Sequence, residues 1–164
     1  EDVSVYFEIR NCLFISTPPT KNIGGVEIYN VTHGHIEDCE IRYKNTGLQI
    51  RDSIGFSIIN CTMDYNAAAA TVEDSNYTTF IDCYFTNTTT GSGFYQDGSH
   101  WTSITDSFIN DNGDYGVESY WSDYFTFTGN EVTGNDMQDC FLRIPTIEII
   151  NSILYLIMVK KDSP

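Results

Sequence analysis

The sequence predicts an all-β protein built as a parallel β-helix, a coil in which each turn, or rung, adds one strand to each of several sheets. Three observations support this class. A short unit recurs along the 164 residues, its apolar residues are spaced by two, and helical spacing is never sustained. Self-similarity at such a period is typical of solenoids, and spacing by two is typical of strands.

The recurring unit is an apolar residue, an Asn or Asp, and then a small residue that serves as its anchor. The residues three before and two after the anchor are apolar in all seven units, and the residue eight before it is serine in five of the seven. The spacings run from 22 to 27 residues. About seven rungs are expected, which at about 4.8 Å per rung give a rod roughly 34 Å long. The anchors are Cys12, Cys39, Cys61, Cys83, Ser107, Asn130 and Ser152.

Strands and turns follow from the same unit. Pairs such as Leu48 and Ile50, or Phe56 and Ile58, place alternate side chains on one face. The residue before the anchor is Asn, Asp or, once, Gly, which tolerate positive φ and close tight turns. We therefore expect the anchors to point inward at a corner of the coil.

Four of the five cysteines are anchors. Cys12, Cys39, Cys61 and Cys83 should stack in one inward column, where parallel Cβ vectors are unsuited to a disulfide. A straight column also cannot enclose a zinc ion tetrahedrally. The sequence predicts free buried thiols, with Cys140 facing outward.

The segment GLQIRDSIGFSIINCTMDYN, residues 47–66, resembles the right-handed parallel β-helix repeats of the pectate-lyase-like superfamily, including those of NosD-type periplasmic proteins, carbohydrate-active enzymes and archaeal surface proteins. The resemblance covers residues 1–159, leaving 160–164 as a tail, and it implies a right-handed coil. That fold hosts lyases, hydrolases, epimerases, tailspikes and non-catalytic rods, so the resemblance specifies the fold and not the activity.

Charge limits the partners. A net charge of −15 argues against nucleic acid and anionic membranes, and it disfavours a bare polyanion unless a cation such as Ca²⁺ bridges it. The apolar run from Ile153 to Val159 is too short to insert into a membrane. We expect an extracellular or cell-surface location and no cofactor. In a secreted chain four sequons permit glycosylation, at Asn30, Asn60, Asn76 and Asn87.

The ends of the rod predict assembly. An open end of a β-helix exposes unpaired backbone, which further rungs, a cap or a neighbouring copy should cover. The chain is therefore expected to be a segment of, or a subunit within, a larger assembly, with rod ends that can pair into a homo-oligomer.

Candidate site residues lie in two outward columns, ten and twelve residues before each anchor. The first column contains Tyr29, Arg51, Glu73, Asp97 and Tyr120, and the second contains Glu27, Gln49, Thr71, Tyr95 and Glu118. Glu73 and Asp97 should lie about 5 Å apart on adjacent rungs, near the carboxylate separation of retaining glycosidases. The tyrosines, together with Trp121, offer rings that stack on sugars or contact proteins.

Two functions remain open. The first is a non-catalytic extracellular module of a surface layer, sheath or adhesin, which binds polysaccharide or neighbouring subunits through Tyr29, Tyr95, Tyr120, Trp121 and Glu118. The second is a polysaccharide hydrolase, lyase or epimerase that uses Glu73, Asp97 and Arg51. The chain lacks the Asp-Asp and His-Gly set of polygalacturonases, the Asp-Pro-His of alginate epimerases and a second basic residue near Arg51. These absences favour the first function.

Overall fold

The computed structural model describes residues 6–17 and 24–143. In that part of the chain there is no α-helix, and 18 short strands form three parallel sheets of six strands each. We call the sheets A, B and C.

Each rung contributes one strand to each sheet, so neighbours in a sheet are three strands apart in the chain. Sheet A consists of β1 (Phe7–Arg10), β4 (Thr32–Glu37), β7 (Ile54–Ile59), β10 (Thr79–Ile81), β13 (Ser103–Thr105) and β16 (Thr126–Thr128). Sheet B consists of β2 (Leu13–Ile15), β5 (Glu40–Arg42), β8 (Thr62–Asp64), β11 (Tyr84–Thr86), β14 (Phe108–Asn110) and β17 (Glu131–Thr133). Sheet C consists of β3 (Val26–Tyr29), β6 (Thr46–Arg51), β9 (Ala68–Glu73), β12 (Phe94–Asp97), β15 (Val117–Tyr120) and β18 (Cys140–Arg143).

The strand register confirms the predicted repeat. Ile36 pairs with Ile58, and Phe80 pairs with both Ile58 and Ile104, so the column three before the anchor lies in sheet A. Its four middle side chains, from Ile36 to Ile104, are fully buried, and the outer two, Ile9 and Phe127, are partly buried. The described strands make six turns, whereas Ser152 and the predicted boundary at residue 159 lie outside the described residues.

The corners explain the polar residues of the repeat. The residues before the anchors have positive φ as predicted, for example 54° at Asp38 and 53° at Asp82. Since the Asx side chain tolerates this conformation, each rung turns without a long loop.

The recurring serine forms a hydrogen-bonded ladder between rungs. The N–H of Ser53 donates to Oγ of Ser75 at 3.0 Å, and the N–H of Ser75 donates to Oγ of Ser99 at 3.1 Å. Each serine hydroxyl in turn donates to the backbone carbonyl two residues earlier in its own rung, as Ser75 does to Glu73 at 2.8 Å. The ladder satisfies backbone N–H groups that the turn would otherwise leave buried and unpaired.

A second ladder of buried asparagines lines the corner between sheets B and C. Asn112 accepts the N–H of Thr88 at 3.2 Å and donates to the carbonyl of Phe85 at 3.0 Å. Its own N–H donates to Oδ1 of Asn135 at 3.1 Å. Asparagine suits this position because one side chain supplies both an acceptor and a donor.

The core is apolar and aromatic. Phe80, Phe85 and Phe94 are fully buried and meet edge to face, with ring centroids 5.4 to 6.0 Å apart. Edge-to-face contact is a favoured geometry for aromatic pairs, so the three rings stabilise the core of the middle rungs.

All five cysteines are free. Cys39, Cys61 and Cys83 are buried as predicted, and burial raises the pKa of Cys61 and of Cys83 to about 12. The expectation of burial is wrong for Cys12, which is only partly buried in the first described turn. The expectation for Cys140 is wrong. Cys140 pairs in register with buried Val117 and packs against the core. The prediction failed because it counted back from Ser152, which places β18 one residue out of register. Burial raises the pKa of its thiol to about 12 as well.

Candidate functional site

The outward face of sheet C, called face C below, carries both predicted columns. Register pairs Tyr29 with Arg51, Arg51 with Glu73, Glu73 with Asp97, and Asp97 with Tyr120. The second column follows in the same way from Glu27 to Glu118. The predicted adjacency of Glu73 and Asp97 on neighbouring strands is thus present in the fold.

Arg51 forms an ion pair with one of the two adjacent carboxylates, that of Glu73. Its Nη2 lies 2.6 Å from Oε2 of Glu73, and hydrogen bonding to Glu73 raises the pKa of the Arg51 guanidinium. The column therefore presents a guanidinium, its paired carboxylate and then Asp97. Glu73 and Asp97 do not form an isolated carboxylate pair.

Glu118 is fixed by two hydroxyl donors. Oγ of Ser92 donates to Oε2 at 2.8 Å, and the Tyr120 hydroxyl donates to Oε1 at 2.8 Å. The bond to Glu118 is the main cause that raises the pKa of Tyr120 to about 12. Both side chains are therefore held in place before any ligand arrives.

Four aromatic rings contact one another in a row on and beside face C, and one of them, Tyr120, binds this carboxylate through its hydroxyl. The centroids of Tyr95 and Tyr120 lie 6.0 Å apart, those of Tyr120 and Phe141 5.6 Å apart, and those of Phe141 and Tyr115 5.3 Å apart. The rings are mutually tilted by 41° to 48°, so they do not cover one another's faces. We call Tyr95, Tyr115, Tyr120 and Phe141 the aromatic cluster.

The other predicted aromatic residues lie apart from the aromatic cluster. Tyr29, 69% exposed, is four rungs from Tyr120, or roughly 19 Å at the usual strand spacing. Trp121 lies at the corner beside sheet C with φ of 48°, and the guanidinium carbon of Arg143 lies 5.0 Å from its ring centroid. This is cation–π geometry. Face C therefore brings together Tyr95, Tyr120 and Glu118, but not Tyr29.

A separate stack of rings follows the corner between sheets C and A. Tyr77 and Trp101 stack with centroids 4.8 Å apart, and Trp101 and Tyr124 with centroids 5.0 Å apart. The planes differ by only 8° and 4°, so the facing sides of the rings cover one another, while Tyr77, Trp101 and Tyr124 remain 54%, 44% and 41% exposed. This corner is therefore a second exposed aromatic surface, separate from the aromatic cluster.

The four sequon asparagines differ in their contacts. Nδ2 of Asn60 donates to Asp38 at 2.7 Å, and Nδ2 of Asn87 donates to Asp64 at 2.9 Å. Asn76 accepts the N–H of His100 at 3.0 Å. Asn30 is exposed at a turn with φ of 54°. Glycosylation remains a prediction, and Asn30 and Asn60 are the two exposed candidates among the four.

In residues 6–17 and 24–143, no group of three or more His, Cys, Asp or Glu side chains is placed to hold a metal ion. Nor does this part of the chain include a helix with the length and apolar character that a membrane span needs.

A family model for the right-handed β-helix region matches residues 2–153. The chain belongs to this right-handed β-helix family. Among solved structures it is similar to a periplasmic alginate epimerase, AlgG, with a TM-score of 0.55 and 12% sequence identity over 90% of this chain and 44% of that one. The chain thus spans less than half of the epimerase, and the likeness concerns the fold. A search of curated proteins gave no significant match.

Two features of the site escaped the sequence reasoning. Phe141 pairs in register with Glu118. The sequence did not predict this, because the alignment of the last strand was one residue out of register, as for Cys140. Tyr115 lies outside the regular strand positions. The corner stack did leave a signal, since Tyr77, Trp101 and Tyr124 all stand six residues before their anchors.

Proposed function

We propose that the protein is a non-catalytic, extracellular or cell-surface β-helix module that binds polysaccharide through face C. The observation that carries the proposal is Glu118, which two hydroxyl donors hold among the tilted rings of the aromatic cluster. Open aromatic faces beside a fixed polar group match the way sites combine apolar contact with a few oriented polar atoms. Preorganisation lowers the entropy lost on binding.

The same contacts argue against chemistry at this face. A general acid or base must exchange a proton with the substrate within hydrogen-bond reach. One oxygen of Glu73 is already engaged by Arg51, and both oxygens of Glu118 already accept hydrogen bonds. These carboxylates are better placed to orient a ligand than to transfer protons.

Two observations bear on the location and the assembly of the module. The structural neighbour is described as periplasmic, which agrees with a secreted location for a chain of net charge −15. Leu13 and Ile15, which are 62% and 49% exposed in the first described turn, support contact with a neighbouring subunit near that end of the rod.

An enzyme is the second candidate. Two observations favour it, namely the adjacency of Glu73 and Asp97 in register and the name of the structural neighbour, an epimerase. In this case Glu73 and Asp97 would be the reacting carboxylates and Arg51 would hold a substrate acid group.

One experiment separates the two candidates. The chain is incubated with neutral, amino-substituted and acidic polysaccharides, with and without calcium, and both binding and new reducing or unsaturated ends are measured. The proposal predicts binding without turnover. The affinity should fall at least about tenfold in Tyr95→Ala and in Tyr120→Ala, because each variant loses an aromatic contact. Tyr84→Ala on sheet B is the matched control and should bind like the wild type. Turnover that disappears in Glu73→Gln or Asp97→Asn would overturn the proposal.

A further inference from the structure

The aromatic cluster lies in a strongly negative environment. Glu118 accepts the hydroxyl of Tyr120, and Asp97 pairs in register with Tyr120 one strand away. Glu73 stands on the next strand of the same column, and Asp114 lies near enough to Glu118 to interact electrostatically. Three carboxylates, Asp97, Glu73 and Glu118, thus act on Tyr95, Glu118 also accepts the Tyr120 hydroxyl, and Asp114 adds a further negative charge near Glu118.

Few positive charges balance these carboxylates. Arg51 is engaged by Glu73. Arg143 pairs in register with Tyr120, but its guanidinium lies over the ring of Trp121. The pKa of Tyr95 is raised by burial and then by the charges of Asp97, Glu73 and Glu118, as expected where negative charge disfavours a further anion.

An uncharged ligand would gain nothing from this negative electrostatic potential, whereas a cation would make two kinds of favourable interaction. An ammonium group is attracted by the carboxylates and also by the faces of tyrosine rings within about 6 Å. The tilted rings of Tyr95 and Tyr120, 6.0 Å apart, leave faces open for both a cation and the apolar side of a sugar ring.

We propose that the polysaccharide bound by face C is cationic, a polymer of amino sugars with free ammonium groups that lie among Glu118, Asp97 and the rings of Tyr95 and Tyr120. This inference rests on the proposed function and names its ligand class. A polymer fits better than a single cation because carboxylates stand on three successive strands of face C, Glu73, Asp97 and Glu118, and the last two strands also carry Tyr95 and Tyr120, at about 4.8 Å per rung. A sugar polymer fits better than a lysine-rich peptide because open ring faces complement the flat apolar side of a pyranose.

The test is calorimetric titration with four oligomers of equal length. These are a glucosamine oligomer, its N-acetylated form, which keeps the backbone but loses the charge, a glucose oligomer and oligolysine. We expect the glucosamine oligomer to bind at least about tenfold more tightly than the N-acetylated form, in line with paired ionic and cation–π contacts. The preference should shrink between low salt and roughly 0.15 M salt, because exposed charges are screened.

Variants locate the charge effect. Asp97→Asn should reduce affinity for the glucosamine oligomer by about fivefold or more while affinity for the N-acetylated form changes little, since only the ionic contact is removed. Glu118→Gln removes the charge and also one of the two acceptors that hold Ser92 and Tyr120, so it should weaken binding of both oligomers, and of the charged one more. Glu131→Gln, the same change on sheet B, is the matched control and should bind like the wild type. Far-ultraviolet circular dichroism checks that each variant is folded.

The outcomes are distinguishable. Equal affinity for the charged and N-acetylated oligomers would overturn this inference and leave polysaccharide binding standing. Tight binding of oligolysine alone would overturn the assignment to sugars. No binding of any saccharide would overturn the proposed function itself.

Discussion

Removing the side chain of Asn112 should destabilise the β-helix far more than removing that of Asn110, two residues away. Asn112 is 1% exposed and supplies the acceptor for the N–H of Thr88 and a donor to the carbonyl of Phe85. In Asn112→Ala, the stranded N–H of Thr88 costs about 1–3 kcal/mol and the lost bond to Phe85 about 0.5–1.5 kcal/mol. The free energy of unfolding should fall by roughly 2–4 kcal/mol.

The control is Asn110→Ala. Its side chain donates only to the carboxylate of Asp111, at 3.1 Å on the exposed surface, so the expected change is within about 0.5 kcal/mol. Urea unfolding followed by circular dichroism and by tryptophan fluorescence measures both, with the slope m compared to verify that the unfolded state is unchanged. If Asn112→Ala matched the control with equal m, the asparagine ladder would not hold the corner as argued.

Three further predictions concern the core and the charged face. Burial raises the pKa of the Cys61 and Cys83 thiols from an ordinary value of 9.0 to about 12. The stability that these neutral thiols contribute is therefore fully present below about pH 9, and the free energy of unfolding falls as pH rises towards 12, by up to ~1.4 kcal/mol per pH unit for each thiol. Urea unfolding at several pH values should show a shallower loss in Cys83→Ala than in the wild type. Gln96 is fully buried, and among the described residues its Oε1 has no partner while its Nε2 donates to Ser119 at 2.8 Å. Thermal and urea unfolding should show Ser119→Ala less stable by about 1–2 kcal/mol, but the double variant with Gln96→Met neutral or more stable, because both polar partners are then gone. Asp97→Asn should raise stability by about 0.2–0.5 kcal/mol, since it removes like-charge repulsion between rungs, and a loss above 1 kcal/mol would show a structural role for this carboxylate.

The sequence was sufficient for the rungs because each rung obeys the same local constraints. Buried Ile36, Ile58 and Phe80 must face inward at one sheet, and the residues before the anchors must adopt positive φ. Such constraints act within a few residues of the repeat, so they leave a column that can be read directly.

The site was less predictable because it depends on side-chain conformations and on one shifted count. No periodic pattern shows that Arg51 turns to Glu73 or that Ser92 reaches Glu118. The sequence alignment placed the last strand one residue out of register, so it put Cys140 on the wrong face and did not predict that Phe141 belongs to the aromatic cluster. Columns give the face on which a residue lies but not the partner its side chain chooses.

The most direct test is a crystal structure of the chain with a bound glucosamine oligomer. The account predicts an intact oligomer on face C, with a sugar ring over Tyr95 or Tyr120 and an ammonium group within hydrogen-bond distance of Glu118 or Asp97. An oligomer seated on the outward face of sheet A or B, or a cleaved oligomer beside Glu73 and Asp97, would contradict it.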